Sequence, residues 1–160
     1  MTRPFVFVDE WRLAADPDDV WPVVRDIGNW PVWWPSARSV TRLPDADDER
    51  WSFRFTTRLP YSMAFDVRVL ADDPRTGVDN EVTGKLEGWG SWHAEPVPGG
   101  TLIRFDWSVT PTPRWMRVLS PLARPVFIWN HRAIMIEGGR ALARKLGVRL
   151  LTETVSRLLP

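Results

Sequence analysis

The apolar residues of this chain change their spacing once, and that change restricts the fold more than any other feature. Apart from one helical stretch near the start, they recur every second residue from Phe5 to Thr110, in short runs broken by turn-forming clusters. After Pro111-Thr112-Pro113 they recur at three- and four-residue steps. The first pattern belongs to strands with one apolar face, the second to an amphipathic helix. A largely antiparallel sheet followed by one long helix buries both apolar faces only if the helix lies on the sheet, which makes the class α+β with one core.

Phe5, Phe7, Trp11 and Leu13 share one side of the first strand, with Glu10 and Arg12 on the other. Asp9 is the misfit on the apolar side. Asp16 then stands as a helix N-cap before Pro17-Asp18-Asp19, which supplies a first-position proline and two carboxylates for the positive end of the helix dipole. This predicts a helix over Pro17 to Ile27, ended by Gly28-Asn29, and one further turn within Trp30-Pro31-Val32-Trp33-Trp34-Pro35. Strands follow over Ser39 to Leu43, Arg50 to Arg58, Met63 to Leu70, Val78 to Leu86, Trp89 to Glu95 and Leu102 to Thr110. Between them, Pro44-Asp45-Ala46-Asp47-Asp48, Leu59-Pro60-Tyr61, Asp72-Asp73-Pro74-Arg75-Thr76-Gly77, Glu87-Gly88 and Pro98-Gly99-Gly100 read as turns. The long helix is expected from Val126 to Leu146, with Phe127, His131, Ile134, Met135, Gly138 and Leu142 on its apolar side and Asn130, Glu137, Arg140 and Arg144 opposite. Residues 1–146 are expected to form the domain, and 147–160, beyond a breaking Gly147, an amphipathic tail that is packed, frayed or a homodimer contact.

Composition narrows the function classes. The 160 residues contain no Cys, which removes disulfides, thiolate zinc sites, iron–sulfur clusters and cysteine nucleophiles together. Histidine occurs only at 93 and 131, with no ligand-pair spacing, so no metal is expected. No phosphate-cradling or dinucleotide motif is present, so no cofactor is expected either. A net charge of +1 offers no concentrated positive field for nucleic acid. No apolar run reaches the roughly 18 residues of a membrane span, so stable membrane insertion is not expected, and the opening residues do not read as a signal peptide. The default is a soluble cytoplasmic protein. The unusual feature is 11 Trp against a single Tyr.

In order and wording the chain resembles the START-like (SRPBCC) superfamily, in its polyketide cyclase/dehydrase branch. The words are Phe5-Val6-Phe7, Asp19-Val20-Trp21, Trp30-Pro31-Val32-Trp33-Trp34-Pro35, Leu59-Pro60-Tyr61, Gly84-Lys85-Leu86-Glu87-Gly88, Gly99-Gly100-Thr101, and Trp129-Asn130-His131 leading into Gly138-Gly139. The resemblance runs from about Phe5 to Leu146. It implies a helix-grip fold, in which a curved antiparallel sheet wraps a long C-terminal helix, and a deep cavity for a lipid, polyketide or other apolar molecule. It implies no common catalytic motif.

Within that frame His131 is the sharpest single residue, placed to orient a ligand oxygen or to act as a general acid or base. The cavity wall is expected from Phe127, Ile134, Met135, Gly138 and Leu142 on the helix and from Trp34, Phe53, Phe55, Met63, Phe65, Phe105 and Trp107 on the rest of the chain. Trp30, Trp33 and Trp34 would either rim its mouth or plug the end of the sheet. For Asp9, a buried carboxylate would require a partner such as His131 or an arginine; the reading preferred is that the strand twists or bulges there and leaves Asp9 in water. Binding of an apolar small molecule leads, with His131 and Asp9 as polar anchors. A polyketide cyclase or aromatase acting in the same cavity is the alternative, and a ligand-free protein-interaction module is a further one.

Overall fold

The computed structural model describes residues 3–44, 47–73 and 77–160, the side chains of 153–155 excepted. The turns expected around Asp45-Ala46 and Pro74-Arg75-Thr76 lie outside the described residues. The chain runs β1 (Phe5–Leu13), α1 (Pro17–Arg25), a 3₁₀ turn (Ile27–Asn29), α2 (Trp30–Trp33), β2 (Ala37–Arg42), β3 (Arg50–Thr56), β4 (Ser62–Asp73), β5 (Gly77–Gly84), β6 (Leu86–Val97), β7 (Gly100–Pro111), α3 (Arg114–Leu146) and β8 (Leu150–Leu158). The strands form one sheet in the order β2-β3-β4-β5-β6-β7-β1-β8, antiparallel at each pairing described. Strands β4, β6 and β7 outrun the expected limits, because hairpin hydrogen bonding continues through polar positions where apolar alternation has already stopped.

Three local features depart from the sequence reading. Asp16 has the extended conformation of an N-cap, and its carbonyl accepts from Asp19 and Val20, but its side chain makes no cap bond. Helix α3 begins at Arg114 rather than near Val126, passing through Pro121 and Pro125. Both rings are exposed, so the carbonyls deprived of an i+4 donor lie on the wet side of the helix, where water serves them. The residues after Gly147 are not a separate amphipathic tail but strand β8, which pairs antiparallel with β1. Gly147 takes a left-handed φ of 67°, its N–H bonding to Arg144 O and that of Val148 to Ala143 O, a Schellman ending that turns the chain back. The backbone of β1 then finds in β8 the hydrogen-bond partners that an open sheet edge would lack.

The core is aromatic and lies where α3 meets the sheet. Trp11, fully buried on β1, sits 4.6 Å from the ring of Phe105 and 5.5 Å from that of Trp34, centroid to centroid. Trp11 Nε1 donates to Met135 O (3.0 Å) and Trp34 Nε1 to Ile134 O (3.3 Å), so two indoles end on the α3 backbone itself. That approach requires a glycine one turn on: a Cβ built on Gly138 would stand 2.6 Å from Trp34 and 2.8 Å from Trp11. Asn130 and Glu137, expected on the solvent side, are not there. Asn130 is buried, and Glu137 accepts from the backbone N–H and the hydroxyl of Ser36. A helix gripped by the sheet has more than one buried face.

Gly138→Ala therefore overpacks two indoles. It is expected to destabilise the fold by about 1–3 kcal/mol, more than offsetting alanine's ~0.5–1 kcal/mol helix advantage. A lower midpoint in thermal or urea unfolding checks this; a higher one would place open space there.

Candidate functional site

A cavity of about 180 Å³ lies between the sheet and the part of α3 on the N-terminal side of Gly138. It is larger than the ~150 Å³ that suffices for a benzene ring. Strands β3 and β4 supply Phe53, Phe55, Met63 and Phe65, β7 supplies Trp107, and α3 supplies Met116, Phe127, Ile134 and Met135. The rings of Phe53, Phe55 and Phe65 lie within 12° of parallel, with centroids 5.4 to 6.3 Å apart, because alternate residues on paired strands project to the same face. They make a flat aromatic wall. Trp30 and Trp34, both buried, close the far end beside Trp21 and Val24 of α1, so the tryptophan cluster acts as a plug rather than a mouth.

Four residues expected on the wall stand elsewhere. Gly138 is filled by Trp34 and Trp11. Leu142 and Phe105 are fully buried in the solid core beyond the cavity. Asp9 is fully buried as well, one layer behind the wall, and is not in water. Its strand does not bulge on the β7 side, where the register runs unbroken from Phe5 to Leu13. The carboxylate is kept by His131, whose Nε2 donates to Asp9 Oδ2 over 2.7 Å. The imidazole also stacks on Phe7, with centroids 3.9 Å apart and planes 12° apart, and it lines the cavity. Nε2 being committed to Asp9, Nδ1 is the ring nitrogen left for a ligand.

Sequence reasoning missed the other polar groups. Thr57, Tyr61, Asn80, Asn130 and Arg25 all reach the cavity. Asn130 Oδ1 accepts from Arg58 N–H (2.9 Å), tying α3 to the turn after β3. Thr57 Oγ1 braces the same turn, accepting from Leu59 N–H (3.2 Å) and donating to Tyr61 O (2.6 Å). The turn presents the Tyr61 hydroxyl, which is buried and has no hydrogen-bond partner, and burial holds its pKa above the ordinary phenol value. Its signal in the sequence was compositional: the sole Tyr, in a chain that otherwise uses Trp. At the other end, the Arg25 guanidinium bonds Asp72 (2.7 Å) and Glu49 (2.8 Å). Burial pushes the Glu49 carboxyl up, but hydrogen bonds from Arg25 and Trp51 outweigh it and hold the group below its usual value. Among the described residues no cluster of three or more His, Asp or Glu is placed to hold a metal.

An aromatic-walled cavity between sheet and helix is thus in place, and sequence comparison assigns the chain a family. Residues 5–147 match the family described as Polyketide cyclase / dehydrase and lipid transport. The chain belongs to that family. Solved structures agree on the fold. The Zhui aromatase/cyclase from Streptomyces sp. R1128 superposes with a TM-score of 0.69 at 15% identity, over 88% of this chain and 93% of that one. The di-domain aromatase/cyclase StfQ of the steffimycin pathway gives 0.65 at 15% identity over 91% of this chain; the overlap is 53% of StfQ, so this chain spans about half its length. Norcoclaurine synthase from Thalictrum flavum, solved with a transition-state analogue, gives 0.60 at 16% identity over 91% of this chain and 96% of that one. None of the curated proteins matches the sequence. As a member of this cyclase/dehydrase and lipid transport family, the chain has a cavity fitted to an apolar small molecule.

The single tyrosine makes its environment measurable. Burial disfavours the phenolate, so the stabilisation from Tyr61 is whole below about pH 10, the unfolded value, and falls as pH climbs through the higher folded value. Phenolate absorbance, with Tyr61→Phe as blank, is expected to rise above the ordinary range; an unshifted midpoint would put the hydroxyl in water.

Proposed function

We propose that the protein binds one planar, largely apolar small molecule carrying an oxygen, with its ring along the Phe53–Phe55–Phe65 wall and its oxygen at Tyr61. The observation that carries this reading is the Tyr61 hydroxyl, buried without a partner on a mostly apolar wall. An unsatisfied buried donor costs about 1–3 kcal/mol, and a ligand carbonyl or phenol oxygen removes that cost. His131 Nδ1 offers a second polar point, and apolar burial supplies most of the affinity.

A second reading, cyclase or aromatase chemistry on a poly-β-ketone, is favoured by the Asp9–His131 pair. A buried carboxylate fixes the imidazole, so Nδ1 can take an acidic α-proton while the enolate oxygen accepts from a hydroxyl such as that of Tyr61.

Titration of tryptophan emission with naphthalene and 2-naphthol tests the first reading. Both should saturate at a single site per chain, and Tyr61→Phe should weaken 2-naphthol by about five-fold, the worth of one neutral hydrogen bond, with naphthalene unaffected. Absence of saturable binding by either probe would sink it. For the second, hydrogen–deuterium exchange at the α-carbon of a bound β-diketone should be accelerated by the wild type and lost in Asp9→Asn and His131→Gln. Equal rates in all three would leave binding alone.

A further inference from the structure

The stretch of α3 that covers the cavity is apolar on its outer side as well. Trp115, Val118, Leu119, Leu122, Val126 and Trp129 are between 42 and 85% exposed. At 100° per residue these six fall within one arc of about 100°, a complete amphipathic stripe turned toward solvent. An exposed contiguous apolar patch of this kind needs an occupant, where scattered exposed residues do not. From Arg114 to Arg132 the helix carries Arg114, Arg117, Arg124 and Arg132 and no Asp or Glu, although the whole chain has a net charge of only +1. By the same geometry Arg114 and Arg132 stand beside one edge of the stripe, Arg117 and Arg124 lie on the opposite side of the helix, with Arg124 over the Phe5 ring, and residues facing the cavity, Met116 and Phe127 among them, lie beyond the other edge.

We propose that this face seats the protein on an anionic lipid surface. Tryptophans at both ends of the stripe have the apolar body and polar edge that suit the headgroup boundary, and Arg114 and Arg132 beside it are complementary to acidic headgroups. The stripe lies in the plane of the membrane; among the described residues no helix is long and apolar enough to cross one. A second copy of the chain fits less well, because a two-fold contact through this face would set arginines against arginines with no carboxylate on the segment to neutralise them. The position gives the contact a use. The ring of Trp115 meets that of Tyr61 edge-on at 6.1 Å, and Met116 next to it lines the cavity, so the seated face adjoins the ligand site. A ligand could pass between bilayer and cavity without crossing water.

The test is co-sedimentation of the full chain with vesicles of phosphatidylcholine, alone or mixed with phosphatidylserine. Binding is expected only with phosphatidylserine and should weaken as salt rises. Arg114→Ala, beside the stripe, should lower partitioning by roughly five-fold. The double variant Val118→Glu/Leu122→Glu, at two highly exposed positions outside the cavity wall, should abolish it while thermal unfolding and 2-naphthol binding without vesicles stay as in the wild type. Failure of the wild type to bind phosphatidylserine vesicles overturns the proposal, as does undiminished binding by the double glutamate variant. A wild-type dimer in sedimentation velocity that the double variant makes monomeric, with no vesicle binding, assigns the face to self-association instead. Because 2-naphthol titration is a separate arm, loss of the ligand reading and loss of the membrane reading are told apart.

Discussion

Two indole N–H groups, one from β1 and one from the residue after α2, end on adjacent carbonyls of α3, and the height of the helix above the sheet follows from that contact. Indoles can reach helical carbonyls from the side only where the next turn carries no side chain, and Gly138 supplies the gap. Beyond that point the helix sits directly on the core, with Leu142 fully buried. Before it, the helix stands away from the sheet and the cavity opens. The molecule is thus solid at one end and hollow at the other, and one glycine position divides the two.

This division explains what could be read from the sequence. Spacing placed Phe127, His131, Ile134 and Met135 on the cavity side of α3, because a 3.6-residue period fixes which way a helical side chain points. The same period put Gly138 and Leu142 on that face, correctly, but a period carries no information on the distance to whatever the face meets. Phe105 fails for the same reason: alternation assigned it to the inner face of β7 without telling core from cavity. The Asp9–His131 bond joins residues 122 apart, and local patterning gives an isolated carboxylate on an apolar strand no partner to choose. Residues 148–159 carry Val148, Leu151, Val155 and Leu158 at helical spacing; the open edge of β1, a property of the assembled sheet, decides for strand instead.

The polar groups facing the cavity are mostly spent on holding the structure in place. Asn130 and Thr57 set the turn that carries Tyr61, Asp9 fixes His131, and Arg25 is engaged by two carboxylates. What remains for a guest is little: the Tyr61 hydroxyl, one imidazole nitrogen, the Asn80 carboxamide and a large aromatic area. Such a site discriminates by shape and by the position of an oxygen more than by charge.

The prolines in α3 have a consequence for the order in which the structure comes apart. Pro121 and Pro125 each remove a rung from the hydrogen-bond ladder, and both lie in the half of the helix that lacks the indole anchors and the glycine-terminated end. Local opening free energy is lowest where ladder bonds are missing and backbone anchors are few. Opening of the helix is therefore expected to start at its beginning, over the hollow end, while its last turns stay anchored. Exchange of the cavity's contents is then governed by the cost of lifting a few turns of helix rather than by the stability of the whole domain.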